Sequence, residues 1–333
     1  MGRPAHLVLS QSAMETVLVY GAGGWIGGLL KGVVEARGLR FLPATARGDE
    51  AAAVRAEVAR VTPRLVFAAL GRTHGVCGER TFGTIDYLEQ PGKLVENLRD
   101  NLVAPLVLAG ACRELGVPFA SIATGCIFQA ADLDAIAEAP GFADDAEPNF
   151  TGSSYSCVKG ATDRLLRALF ADSALWFRIR MPLTHDLHPR SFLTKIASYE
   201  KVCSVPNSMS VLDGDNGLLR LFLEMALAGY RGCYNGCNPG VLSHNDILAM
   251  YKAEVEPSFA WQNFTLEEQA AVLAAGRSNN RLCSRRLEAA AAELGIPLPD
   301  LRTAVRGIMK HLARRRTRSS CTDSLPRCPQ RSI

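Results

Sequence analysis

No stretch of this chain holds the ~18 consecutive apolar residues that a membrane-crossing helix needs, so no membrane partner is expected. The opening MGRPAH lacks the apolar core of a secretory signal, and His6 stands where myristoylation would require Ser or Thr. Ten cysteines are scattered without zinc spacing. The closest pair, Cys233 and Cys237 in CYNGC, has no second pair or histidine cluster beside it. No metal is therefore expected, and most thiols are read as reduced and buried in a cytoplasmic protein. The glycine-rich turn near the start lacks Gly-Lys-Ser/Thr, which removes a nucleotide-hydrolysing P-loop. Internal repeats are also missing.

An excess of basic over acidic charge is found only at one end. From Lys310 onward seven Lys/Arg face one Asp, so a total of +4 leaves about −2 for everything before it. A mildly acidic body gives no electrostatic reason to expect nucleic acid. Residues 312–333 read as a disordered basic tail and residues 1–13 as a loose leader.

What is present is alternation. The runs TVLVY, RFLPAT, RLVFAAL, FASIAT and LWFRIR read as strands, separated by helical patterns near 25–37, 50–60, 91–115 and 154–170. This order predicts an α/β chain, a Rossmann-type doubly wound parallel sheet over residues 14–180. After Met181 the elements shorten and Pro, Asn and Gly accumulate, predicting a smaller C-terminal substrate-binding lobe over 181–311.

The stretch YGAGGWIGGLL sets Gly21, Gly24 and Gly27 three apart between a strand and a helix. The first glycine permits a tight turn, the second lets backbone approach a pyrophosphate, and the third lets helix and strand pack closely. The helix N-terminus then offers free N–H groups to phosphates. Trp25 and Ile26 in the turn, Ala68 and Ala69 ending the third strand, and Pro182 after the fifth are the accompanying candidate cofactor contacts. At the end of the second strand stands Arg47 rather than a carboxylate. An Arg there suits a 2′-phosphate, so NADPH is favoured, with NADH as the alternative.

In SSYSCVKG, Tyr155 and Lys159 share one helical face. An ammonium near a phenol favours the phenolate, which makes Tyr155 a general acid for a carbonyl oxygen as hydride reaches carbon. Thr124, ending the fourth strand, offers a hydroxyl to the same oxygen. Asn101 in RDNL is a candidate to tie backbone and a water chain to Lys159.

These residues are the signature of the extended short-chain dehydrogenase/reductases, which the chain resembles over residues 15 to about 310. The blocks GWIGGLL, ATGCIF, PNFTGSSYS, RIRMP, FLTKI, YEKV, PNSM, NPGVLSHNDIL, NFTLEEQ and RSNN resemble one branch, the nucleotide-rhamnose synthase/epimerase-reductases. TIDYLEQPGKLVENLRDNL is similar to the variant found among large DNA viruses and algae. The resemblance implies a bifunctional 3,5-epimerase/4-reductase that converts UDP-4-keto-6-deoxy-D-glucose to UDP-L-rhamnose with NADPH. Simpler sugar 4-reductases of this fold carry Asp-Tyr where Gly125 and Cys126 stand. Inverting carbons 3 and 5 needs an acid/base group at the ring, and a thiol with ordinary pKa near ~8.5 exchanges protons well at neutral pH. Lys195 is where the resemblance puts the partner of Cys126; His185 is a weaker candidate proton carrier. Asn207, Ser208, Arg277 and Asn280 are candidate substrate contacts, Arg277 suiting a diphosphate. The segment LCSRRL departs from the branch, which usually has Asp after the Leu. A reductase that lacks the epimerase activity and a non-catalytic dinucleotide-binding subunit are the alternative readings. A homodimer is the candidate assembly.

Overall fold

The computed structural model describes residues 14–318. The leader assigned to 1–13 and the tail beyond 318 lie outside those residues. The first half alternates as its pattern predicts: β1 (Thr16–Tyr20), α1 (Trp25–Ala36), β2 (Arg40–Pro43), α2 (Ala51–Val61) and β3 (Leu65–Ala68). A small antiparallel hairpin follows, β4 (Gly75–Cys77) and β5 (Arg80–Phe82), then a 3₁₀ turn over Ile85–Glu89. Next come α3 (Leu94–Leu98), α4 (Ala104–Glu114), β6 (Phe119–Thr124), α5 (Ser154–Phe170) and β7 (Ala174–Ile179).

The second half contains α6 (Phe192–Ser198), β8 (Lys201–Val202), α7 (Leu218–Leu227), β9 (Gly232–Tyr234), α8 (His244–Glu254), β10 (Gln262–Asn263), α9 (Leu266–Val272), α10 (Arg285–Glu293) and α11 (Leu301–Arg318). Six strands pair in parallel in the order β2-β1-β3-β6-β7-β9, and the crossover from β2 back past β1 to β3 opens a crevice at the carboxyl ends. Strands such as β3 and β7 are buried along their whole length, as a sheet covered on both faces requires.

Three large apolar cores result, beside three small clusters. One packs α1, α7 and α10 on one sheet face; another packs α2, α4 and α5 on the opposite face. The third joins α6, α8 and α11 away from the sheet, around Leu193, Ile247 and Ile308. Ser243 caps α8 through a capping box with Asp246, as its sequence position suggests. α11 runs seven residues past the boundary drawn at 311, because Leu312 is buried against this third core.

The expected single helix over 91–115 is interrupted by a wide π turn at Arg99–Val103. Pro105 has no N–H to give Asn101 O, its partner four residues back, and the hydroxyl of Thr162 donates to that carbonyl instead at 2.7 Å. Among the described residues no helix is long and apolar enough to cross a membrane.

Candidate active site

A cavity of about 410 Å³ opens at the carboxyl ends of β1, β3, β6 and β7 and extends beneath α6. Its floor at one end is the glycine turn. Gly21 sits at φ +81°, and a Cβ there would lie 2.7 Å from Ala69 O. A side chain on Gly27 would overlap Gly21 O, so α1 can start this close to β1 only as glycine. α1 has no side-chain cap and no acidic residue in its first turn, and its first N–H groups stay available to an anion. These features fit a dinucleotide diphosphate.

The opposite wall is built from β6 and α5. Ser153 caps α5 by accepting from Ser156 N at 3.0 Å, and Glu89 accepts from Ser154 N at 2.8 Å. Ser156 Oγ donates to Cys126 O at 2.7 Å, locking the first turn of α5 to the end of β6. That lock sets Tyr155, Thr124, Cys126 and Lys159 around one space, and all four line the cavity. Cys126 N donates to Thr124 Oγ1 at 3.1 Å.

Burial raises the Tyr155 phenol well above its ordinary value; nearby Cys126 adds to the rise, and the Thr124 hydroxyl opposes it. Lys159 is itself buried, which pulls its pKa down to about 8, with Asp163 opposing the fall.

Lys195, on α6, faces the same cavity, its Nζ donating to Gly83 O at 3.2 Å on the hairpin side. Burial, then Arg190 and Arg277, push it down to about 8. The cavity therefore brings Thr124, Cys126, Tyr155, Lys159, Lys195 and Arg277 together, with Gly24, Trp25, Ile26, Ala69 and Pro182 along the dinucleotide end. His185 is outside it, hydrogen-bonded to Asp213 at 2.8 Å.

Other expected contacts go elsewhere. Asn207, Ser208 and Asn280 have no exposed surface. Asn207 Oδ1 accepts from Arg180 Nη2 at 2.6 Å and Asn280 N at 2.9 Å; Ser208 Oγ accepts from Leu282 N at 2.9 Å. Asn280 Nδ2 and Arg180 Nη1 each donate to Gly125 O at 3.1 Å. These side chains brace the strand end that carries Thr124 and Cys126, each fully buried and bonded to other protein groups, although Asn280 Oδ1 and Arg180 Nε have no partner. Gly125 belongs to the same packing: a Cβ would stand 2.6 Å from Leu282 Cδ1.

Asn101, also fully buried, accepts from Arg72 N and donates to Arg72 O, fixing the loop after β3. Ala68, the last residue of β3, is buried and does not line the cavity. Arg47 is half exposed and paired with Asp49 at 3.0 Å and Glu50 at 3.6 Å. Arg277 donates to Asp86, whose carboxyl burial would raise but which Arg277, Thr84 and the Ala275 amide hold low.

Sequence reasoning missed Arg180, His74, Arg190 and Met181. An Arg within the apolar run LWFRIR was the available signal for Arg180. Met181, at φ +37° just before Pro182, is strained backbone that turns the chain from β7 over the cavity.

A glycine turn, a buried Tyr/Lys pair and a strand-end Thr converging on the crevice of a doubly wound sheet define a dinucleotide-dependent reductase of the extended short-chain type. No protein-family profile matches the chain. The chain is 41% identical over 295 residues to protein L780 of Acanthamoeba polyphaga mimivirus, covering 89% of this chain and 98% of L780. The crystal structure of the L780 UDP-rhamnose synthase superposes with TM-score 0.83 over 90% of this chain and 100% of that one. A bifunctional dTDP-4-dehydrorhamnose 3,5-epimerase/dTDP-4-dehydrorhamnose reductase of Arabidopsis thaliana is 42% identical over 286 residues, 86% of this chain and 90% of the relative. A dTDP-4-dehydrorhamnose reductase of Clostridium acetobutylicum, 16% identical, shares the fold at TM-score 0.70 over 89% of this chain and 99% of that one. The chain belongs to the nucleotide-rhamnose epimerase/reductase family.

Proposed function

We propose that the chain epimerises carbons 3 and 5 of a nucleotide-linked 4-keto-6-deoxy-D-glucose and reduces carbon 4, yielding the nucleotide-linked L-rhamnose. The observation that carries this reading is one cavity with Thr124, Cys126 and Tyr155 on one wall and Lys195 on the other. NADPH supplies the hydride when bound. Tyr155 and Thr124 hold the carbon-4 oxygen by hydrogen bonds, which stabilises the enolate formed when a proton leaves carbon 3 or 5. Cys126 and Lys195 remove that proton and return one to the opposite face. A lysine lowered to about 8 suits this task, since a useful fraction is neutral near pH 8. For the final step Tyr155 gives its proton to the carbon-4 oxygen, and Lys159 stabilises the phenolate left behind.

Arg277 is the residue we assign to the sugar nucleotide's diphosphate, and UDP is the nucleotide we favour, following the L780 synthase. The 2′-phosphate role of Arg47 requires it to leave Asp49 and Glu50. Eight described cysteines are free, consistent with our placing the enzyme in the reducing cytoplasm.

The test is incubation with the keto sugar in deuterated water without NADPH, read by NMR. Deuterium at carbons 3 and 5 is expected; its absence, with NADPH oxidation intact, leaves a reductase alone. Tight NADPH binding with no turnover on either UDP- or dTDP-linked keto sugar would leave a non-catalytic binding subunit.

A further inference from the structure

Five Lys and Arg side chains line the cavity, and of these Arg277 has an ion pair with Asp86, while Lys159, Arg180, Arg190 and Lys195 have no such carboxylate among the described residues. Arg180 is spent on Gly125 O, Ser278 and Asn207 inside the protein. Lys159 and Lys195 are accounted for by the chemistry above; Arg190 is not.

In place of a carboxylate, Arg190 has a histidine. Its Nη2 donates to Nε2 of His74, on the turn between β3 and β4. To accept that bond His74 must be neutral. Burial and the neighbouring Arg190, Arg72 and Lys195 keep it so, lowering its pKa to about 4. The other ring nitrogen then carries the proton, 3.3 Å from Thr73 Oγ1. A carboxylate would aim the guanidinium and cancel its charge together. A neutral imidazole aims it and leaves the charge for an anion.

The loop that presents Arg190 is already ordered. Asp186 Oδ1 accepts from Thr184 Oγ1 at 2.6 Å and His188 N at 3.3 Å. Asp213 accepts from His185 N at 2.9 Å, and His188 Nδ1 accepts from Arg190 N at 3.1 Å. The His188 ring lies flat on Trp25, centroids 5.1 Å apart and planes within 6°. Trp25 is the first residue of α1, in the glycine turn itself. Arg190, two residues beyond His188, lines the same cavity as Gly24 and Trp25 at the N-terminus of α1, a helix end whose free N–H groups suit phosphate oxygens.

The structure assigns Arg190, aimed by His74, as a clamp on a diphosphate, and we infer that it takes the dinucleotide's diphosphate and not that of the sugar nucleotide. The inference rests on the NADPH reading above. His74 is a positioning residue in it.

The test is calorimetric titration of the full chain with NADPH and, separately, UDP, with thermal unfolding as a check on folding. Arg190→Gln is expected to weaken NADPH by roughly tenfold or more and UDP by less than about twofold. His74→Phe should weaken NADPH several-fold alone and add nothing on top of Arg190→Gln, a non-additivity that a purely structural role would not give. If Arg190→Gln fails to fold, Arg190→Lys decides, since it keeps the charge and loses the planar fork; a several-fold NADPH loss is expected. Unchanged NADPH affinity in a folded Arg190 variant overturns the clamp, as does a UDP loss matching the NADPH loss. A wild-type chain that binds UDP and not NADPH overturns the NADPH reading, and the clamp with it.

Discussion

The two walls of the cavity are built on opposite plans. The wall of β6 and α5 holds Thr124, Cys126, Tyr155 and Lys159 within 36 residues of sequence, on two regular elements locked by Ser156. The facing wall takes Lys195 from α6, Arg190 from a loop, and Arg277 from a segment far down the chain, held by Asp86 across 191 residues. The first wall carries one cation, Lys159, and the second gathers three, Arg190, Lys195 and Arg277; in the reading proposed above, the first wall and Lys195 move protons while the two arginines receive anions. Chemistry that depends on sub-ångström geometry sits on rigid elements, while charge, which acts over longer distances, can be gathered from loops.

The contrast predicts a graded set of losses. The largest falls on the rigid wall: Tyr155→Phe should lower kcat for reduction by ~10²–10⁴ with KM little changed, measured as NADPH oxidation. A fall in KM affinity with kcat intact would move Tyr155 to the binding side. Next, Cys126→Ala and Lys195→Met should each slow deuterium wash-in at carbons 3 and 5 by about 10²-fold. If Lys195→Met slowed only reduction, the facing wall would have no part in proton transfer.

Asn207→Ala should unfold the distinction between site and support. Removing a fully buried acceptor of Arg180 is expected to cost about 1–3 kcal/mol in thermal or denaturant unfolding, with little change in UDP affinity. The smallest effect is pH dependence. Lys159 and Lys195 are both held at about 8, below an ordinary lysine, by burial. The unfolded chain therefore binds more protons between about 8 and the ordinary lysine value near ~10.4, so stability contributed by these groups rises with pH through that window. Wash-in should also rise as pH passes 8 and Lys195 loses its proton. A profile flat through pH 8 would remove Lys195 as the titrating base.

Some of this was readable along the chain. Strand, turn and helix alternation, the glycine turn and the Tyr-x-x-x-Lys face are patterns of a few residues, set by backbone sterics and helical period, and the structure contains them all. The π turn at Asn101 was nearly readable too, since Pro105 stands four residues on and cannot donate. In the polar blocks PNSM and RSNN, Arg277 does line the cavity, but Asn207, Ser208 and Asn280 are buried; composition says only that a side chain needs hydrogen-bond partners. Their partners are Arg180, Leu282 N, Gly125 O and one another, inside the protein.

The strand–helix alternation, the glycine turn and the phenol–lysine pair follow from short runs of residues, because each is a local arrangement whose energetics are settled within a turn or two of chain. Tertiary structure alone decided which cations face the cavity, that Asn207 and Asn280 brace Gly125, and that Arg190 meets His74 across 116 residues. Such pairings depend on where distant segments are brought by core packing, and burial then dictates which polar groups must satisfy each other.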